Sequence, residues 1–184
     1  RTMSKLVFMM NASLDGFINH ERFPPPGPLL FDFYIEHTRS LTGSIYGRHL
    51  YEAMHYWDGQ DWEQADPAQR DALRHFAEAW RRMPKWVVSR TMKTVGPNAT
   101  LIGDDVGAEV RRLKRQGDGT IAVGGPKLAA SLARLDLIDE YQIILHPVVL
   151  GNGDPFFAGV QPSLRLTGSE RVGESAVKLR YVPA

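Results

Sequence analysis

The sequence predicts an α/β protein built on one mostly parallel sheet that finishes in antiparallel strands. Three observations carry that prediction. Short apolar runs suited to buried strands alternate with stretches whose apolar residues recur at helical spacing, the order that builds βαβ units. Residues 120–157 hold the clearest unit: a strand (T-I-A-V), a double glycine, a helix, and a second apolar strand. The last two strand candidates, 163–167 and 177–182, follow one another with no helix between them, so that edge runs antiparallel.

The elements follow in order. Residues 5–11 read as a buried first strand and 12–17 as a loop with an Asp15-Gly16 turn. Residues 21–28 are proline-rich and cannot be regular helix. Residues 30–41 place Phe31, Tyr34, Ile35 and Thr38 on one side of a helix. Residues 44–46 are a short strand; 48–57 are a helix with Leu50, Met54 and Trp57 along one face. Residues 58–66 are polar and loop-like. Asp66-Pro67 is a cap followed by a first-turn proline, opening a helix to about residue 82 with Leu73, Phe76 and Trp80 inward. Pro84 stops it. Residues 86–89 and 100–102 are strands. Asp104 and Asp105 can cap a helix carrying Val106, Val110 and Leu113, ended by Lys114, Arg115 and Gly117. In the 120–157 unit, Leu128, Leu132 and Leu135 recur at helical spacing and face the sheet, and 141–150 form the next strand.

A length of 184 residues suits one domain, residues 1–184, with ample core. Met3 reads as the natural start, with Arg1 and Thr2 added ahead of it. A formal net charge of +1 offers no bulk attraction for nucleic acid or an anionic membrane. Cysteine is absent, which removes disulfides, thiol nucleophiles and cysteine-bound metals together and fits a reducing cytoplasm. No apolar run approaches the length of a membrane span. No His-Glu-x-x-His or carboxylate cluster points to a metal, and no Gly-x-Ser-x-Gly elbow points to hydrolysis.

Three segments share one logic: a strand, a small or polar residue, then a group that attracts anions. In Ile45-Tyr46-Gly47-Arg48, Gly47 opens a helix and Arg48 offers a planar fork that matches phosphate. In Val87-Val88-Ser89-Arg90-Thr91, two hydroxyls flank an arginine at a strand end, suited to a monophosphate. In Gly124-Gly125-Pro126, bare backbone and a helix N-terminus can hold an anion, and Pro126 suits the first helical turn. Together they provide for a ribose phosphate and a pyrophosphate along one sheet edge.

The order of these segments carries a family resemblance. Met10-Asn11-Ala12-Ser13-Leu14-Asp15-Gly16-Phe17 resembles the opening motif of the riboflavin-biosynthesis reductase domain and its dihydrofolate-reductase-like relatives. Tyr46-Gly47-Arg48-His49-Leu50-Tyr51-Glu52 is similar to the Gly-Arg segment of dihydrofolate reductases. Val88-Ser89-Arg90-Thr91 resembles their segment for the cofactor 2′-phosphate, and Val123-Gly124-Gly125-Pro126 their pyrophosphate turn. Residues 137–141 and 146–153 are similar to the family's closing Asp-Glu and Leu-Gly-x-Gly strand pair. The resemblance implies a three-layer α/β/α fold with a mixed sheet, NADPH as cofactor and a homodimer, with 141–150 and 177–182 as interface elements. It implies cofactor contacts from Gly47, Arg48, Ser89, Arg90, Thr91, Gly124, Gly125, Pro126, Lys127 and Leu128, with Ala12 near the nicotinamide carboxamide. Val123 stands where the riboflavin reductases carry a substrate-binding glutamate, and Pro28-Leu29 stands where dihydrofolate reductases have Pro-Trp. The standard riboflavin intermediate is therefore not the expected substrate.

Hydride transfer also needs a proton. Asp32 precedes Gly47 by nearly the spacing of the dihydrofolate-reductase acid, and Phe31, Phe33, Tyr34 and Ile35 surround it, so burial would raise its pKa. Asp32 can equally cap its helix. Asp15 is the second candidate acid, with a structural turn role the favoured one; Glu36 is a third. Tyr51, Tyr56, Trp57, Trp62 and Trp80 are either core or the walls of a flat pocket. The expected function is NADPH-dependent reduction of a planar, pterin- or pyrimidine-like heterocycle. The alternative is a non-catalytic NADP(H)-binding sensor or regulatory module.

Overall fold

The computed structural model describes residues 2–184; Arg1, the first residue of the expected domain, lies outside them. Strand β1 (Lys5–Ala12) sits between two parallel neighbours in an eight-stranded sheet of order β4-β3-β2-β5-β1-β6-β8-β7. The others are β2 (Gly43–Gly47), β3 (Lys85–Val88), β4 (Ala99–Ile102), β5 (Thr120–Gly124), β6 (Glu140–Leu145), β7 (Leu164–Val172) and β8 (Ala176–Pro183). The first six in chain order pair in parallel, while β8 joins β6 and β7 joins β8 antiparallel. The mixed sheet with an antiparallel C-terminal edge is thus as expected.

Helices cover both faces. On one, α4 (Val106–Gln116) and α5 (Pro126–Ala133) bring Val110, Leu113, Ala129 and Leu132 onto Leu6, Phe8, Ile45, Ile121 and Val123. On the other, α1 (Pro28–Ser40), α2 (Arg48–Met54) and α3 (Pro67–Arg82) bring Ile35, Tyr51, Phe76 and Trp80 onto Tyr46 and Val87. This is the three-layer α/β/α arrangement. Among the described residues no helix is long and apolar enough to cross a membrane.

Several boundaries differ for stated reasons. Strand β6 stops at Leu145, not residue 150: Pro147 has no N–H to donate, and Leu14 N binds Val148 O as the chain turns onto the 13–17 loop. Leu135 is exposed rather than facing the sheet, because α5 ends at Ala133 and the chain reverses through Asp136 at φ 53°. Helix α2 ends at Met54, and 55–58 tighten into a 3₁₀ turn. Of the two candidate caps on α4, Asp105 serves, accepting from Ala108 N at 3.1 Å.

Two lysines hold helix ends to the sheet. Lys114 Nζ lies 2.6 Å from Asp139 Oδ2, which also accepts from Leu6 N at 2.7 Å, so one carboxylate ties β1 to α4. Lys85, almost fully buried, donates to Trp80 O at 2.6 Å and Met83 O at 2.8 Å, satisfying carbonyls left open at the end of α3. Its ammonium stands 4.5 Å over the Trp80 ring. Burial lowers the Lys85 pKa to about 8 from its ordinary 10.5, against the opposing charge of Asp58. Between these values the unfolded chain binds more protons, so stability rises with pH. Urea unfolding between about pH 8 and pH 10, below the range where the buried tyrosines oppose it, is expected to show that rise, and Lys85→Met is expected to flatten it.

Candidate cofactor and substrate site

Strand pairing gathers the three anion-type segments. Gly47 of β2 registers with Val88 of β3, Tyr46 with Gly124 of β5, and Val123 with Phe8 of β1. The carboxyl ends of β3, β2, β5 and β1 therefore lie side by side, over three strand spacings of about 4.8 Å, roughly 14 Å in all. Ser89-Arg90-Thr91, Gly47-Arg48 and Gly124-Gly125 leave that one edge, where open α/β sheets hold ligands.

The two glycines of the turn are required for different reasons. A Cβ on Gly124 would collide with the Tyr46 ring. Gly125 has φ +109° and caps α5 without any side-chain hydrogen bond, and a Cβ there would meet nothing within 4 Å. The backbone at the α5 N-terminus is thus open, with Pro126 in its first turn and Lys127 exposed beside it. A Cβ on Gly47 would stand 4.0 Å from Leu128 Cβ, so the β2 and β5 turns meet. Ser89 Oγ accepts from Thr91 N at 3.2 Å and Met92 N at 3.0 Å, folding a tight turn from which Arg90 and Thr91 are exposed. Arg48 is exposed and lies 3.7 Å from Glu52. Ala12 ends β1 with its side chain in the α4–α5 core and its carbonyl accepting from His146 N at 2.9 Å.

Beside this edge, on the α1–α3 face, lies a cavity of about 460 Å³. Its wall includes Asn11, Phe31, Tyr34, Trp57, Trp80 and Gly124, so the turn and the cavity share a residue. Among the described residues, no Asp, Glu, Lys or Arg lines it. Tyr34 Oη donates to Asn11 Oδ1 at 2.5 Å, and His146 Nε2 lies 2.7 Å from the same oxygen. Burial pushes the Tyr34 phenol well above its ordinary range and pushes the His146 pKa down. His37, also on the wall, is lowered to about 4 by burial and then by the charge of Lys178.

The candidate acids fall elsewhere. Asp32 is exposed and is absent from the cavity wall, so the expected burial does not occur. Nor does it cap its helix: α1 begins at Pro28, and Glu174 from the β7–β8 hairpin accepts from Leu29 N at 2.8 Å and Leu30 N at 3.2 Å. Glu36 is exposed and paired with Arg39 at 2.6 Å. Asp15 accepts from Ser13 Oγ at 2.6 Å, Gly151 N at 2.7 Å and Leu150 N at 3.1 Å. The Ser13 bond is the main cause that lowers its pKa to about 2, and the two backbone N–H groups add to it. It is a carboxylate clamp between two loops and holds no proton near neutral pH. The aromatic set divides: Trp57 and Trp80 line the cavity, Trp62 is buried elsewhere with Nε1 on Gly59 O, Tyr51 Oη accepts from Gly96 N, and Tyr56 is exposed.

Asn11 and His146 lie within the motifs above but have no role assigned by them, His37 lies outside them, and helical spacing turns Tyr34 inward without giving it a role. Asn11 follows the strand parity of β1, which was a usable signal; the histidines are brought in only by the fold.

Glycine and arginine turns lie along adjacent parallel strand ends with an apolar cavity alongside, at the edge where open α/β sheets hold ligands. The chain matches the RibD C-terminal domain over residues 4–178 and belongs to that family. It is 26% identical over 189 residues to the uncharacterised protein YyaP of Bacillus subtilis, covering 96% of this chain and 94% of that one. Its fold is similar to a putative riboflavin biosynthesis protein from Shewanella sp. PV-4, at TM-score 0.69 and 22% identity over 98% of this chain and 99% of the other. It is also similar to Enterococcus faecalis dihydrofolate reductase, solved with NADP(H), at TM-score 0.60 and 13% identity over 99% and 98%. The fold is dihydrofolate-reductase-like.

Two expectations follow. Asp15→Asn is expected to speed hydrogen exchange at the Leu150 and Gly151 amides. It should also remove the Asp15 part of the acid limb, because a folded pKa of about 2 against an ordinary 3.8 gives stability above 3.8 that is lost as pH falls toward 2. Asp32→Asn is expected to leave the pH profile of any turnover unchanged.

Proposed function

We propose that the protein is an NADPH-dependent reductase that passes hydride to a planar heterocycle of pterin or pyrimidine type, other than the standard riboflavin intermediate. One observation carries this reading: Gly124 belongs both to the open turn at the head of α5 and to the wall of the aromatic cavity. An anion held at that turn leaves the rest of its molecule beside the cavity.

The residues present fit a dinucleotide phosphate. Open space over Gly125 and the uncapped start of α5 suit a pyrophosphate. The Ser89-Arg90-Thr91 turn suits a 2′-phosphate, with Ser89 Oγ shaping the turn and Arg90 free to face the anion. Arg48 adds a cation at the next strand end. When bound, the nicotinamide supplies the hydride. The chain's own part is to stack and exclude water, with Phe31, Trp57 and Trp80 on the cavity wall. Val123 is buried in the sheet where the riboflavin reductases have their glutamate, which supports a different substrate. Leu166 on the edge strand β7 and Val177 on its neighbour β8 are exposed, which supports a homodimer formed at that end of the sheet.

Fluorescence titration is expected to show NADPH bound more tightly than NADH, and Arg90→Ala should weaken NADPH about tenfold or more while leaving NADH nearly unchanged. Equal affinities in the wild type contradict the 2′-phosphate role. Oxidation of NADPH over a panel of pterins, flavins and pyrimidines tests turnover; binding without turnover on any of them favours the sensor reading.

A further inference from the structure

The cavity wall is largely apolar, and several of its polar groups are already engaged. Thr38 Oγ1 donates to Tyr34 O at 2.8 Å, and Ser44 Oγ reaches Ala122 O at 3.4 Å. Tyr34 Oη is committed to Asn11. Asn11 is different. Its Oδ1 takes contacts from both Tyr34 and His146, while its Nδ2 has no protein partner among the described residues.

The distances say which end of the amide is which. A 2.5 Å separation from a phenol lies at the short end of the O–H···O range and is too short for N–H···O. The 2.7 Å contact to His146 Nε2 suits N–H···O and is too short for N–H···N. Oδ1 is therefore the shared acceptor, and His146 carries a proton on Nε2, while burial lowers its pKa. Both acceptor sites of Oδ1 are used, so the side chain cannot rotate without losing two hydrogen bonds. What this amide has left for a ligand is its Nδ2 donor pair, held in a fixed direction, with Asn11 on the cavity wall.

We propose that Asn11 is the polar anchor of this cavity and that the site takes an uncharged planar molecule through a carbonyl or ring-nitrogen acceptor. The inference rests on the cavity being the substrate side of the reductase site, and it sharpens the substrate class. A strongly anionic group needs a cation and a cationic one a carboxylate; the wall holds no Asp, Glu, Lys or Arg among the described residues, and burial lowers the pKa of its His37. Tyr34 and His146 are positioning residues, acting through the orientation of the Asn11 amide.

Three probes of one shape test this on the full chain without cofactor: 2-methyl-1,4-naphthoquinone, 2-methylnaphthalene, which lacks acceptors, and 1,4-naphthoquinone-2-sulfonate, which adds an anion. Quenching of Trp57 and Trp80, with calorimetry as control, reads the affinities. The quinone is expected to bind about tenfold to a hundredfold more tightly than either congener. Asn11→Asp keeps the acceptor for Tyr34 and His146 but turns a carboxylate oxygen toward the cavity, and should abolish the quinone preference while leaving 2-methylnaphthalene unchanged. Tyr34→Phe frees the amide to turn and should reduce the preference several-fold; it serves as the test if Asn11→Asp does not fold. Equal binding of quinone and hydrocarbon, tight binding of the sulfonate, or an unchanged preference in the folded variants overturns the proposal. NADPH titration is read separately: its failure with the quinone preference intact sinks the reductase reading alone, and the converse sinks the anchor alone.

Discussion

The parallel pairing of β3, β2, β5 and β1 is the constraint on which the site depends. Parallel strands leave the sheet in one direction, so every turn at a carboxyl end joins the same edge. Segments more than thirty residues apart in the chain become neighbours across one strand spacing. Glycine makes the closest approach possible at Gly124, where the Tyr46 ring occupies the space of a side chain, and supplies the positive φ at Gly125. Were β5 to pair elsewhere, the open turn would not join the edge that β2 and β3 give to the Arg48 segment and the Ser89-Arg90-Thr91 turn.

Register on β1 then divides the two faces. Leu6, Phe8, Met10 and Ala12 point into the α4–α5 core, and Met9 and Asn11 line the other face with its cavity. Burying a leucine or phenylalanine contributes about 1.5–3 kcal/mol each, whereas a hydrogen bond nets roughly 1 kcal/mol. The apolar side therefore sets the register, and Asn11 is carried to the cavity by parity. A slip of one residue would place Asn11 in the core and Phe8 against the cavity.

The segments that touch backbone or core were readable because their cause is local. Asp66-Pro67 opens α3 as expected, since a cap and a first-turn proline act within one turn. Gly124-Gly125-Pro126 sits between strand and helix as expected. The acid at the site was not readable. Asp32 has apolar neighbours in sequence, but on a helix the adjacent residues face other ways, and the exposed side of α1 is its position. The cap that Asp32 was a candidate for comes from Glu174, 145 residues beyond Leu29. Asp15, the second candidate acid, proves to be a clamp because Leu150 and Gly151 return to it from across the fold.

The sequence by itself determined the class of fold, the order of most elements, and the three segments able to meet phosphate, because strand parity, helical spacing, capping and glycine geometry act over a few residues. Only the tertiary structure decided what shares the cavity. It turned Asp32 outward, left the wall without Asp, Glu, Lys or Arg among the described residues, and brought Tyr34 and His146, over a hundred residues apart, onto one oxygen of Asn11. That convergence depends on the crossing of β1 between β5 and β6 and on the packing of α1 over the sheet, which no local pattern encodes.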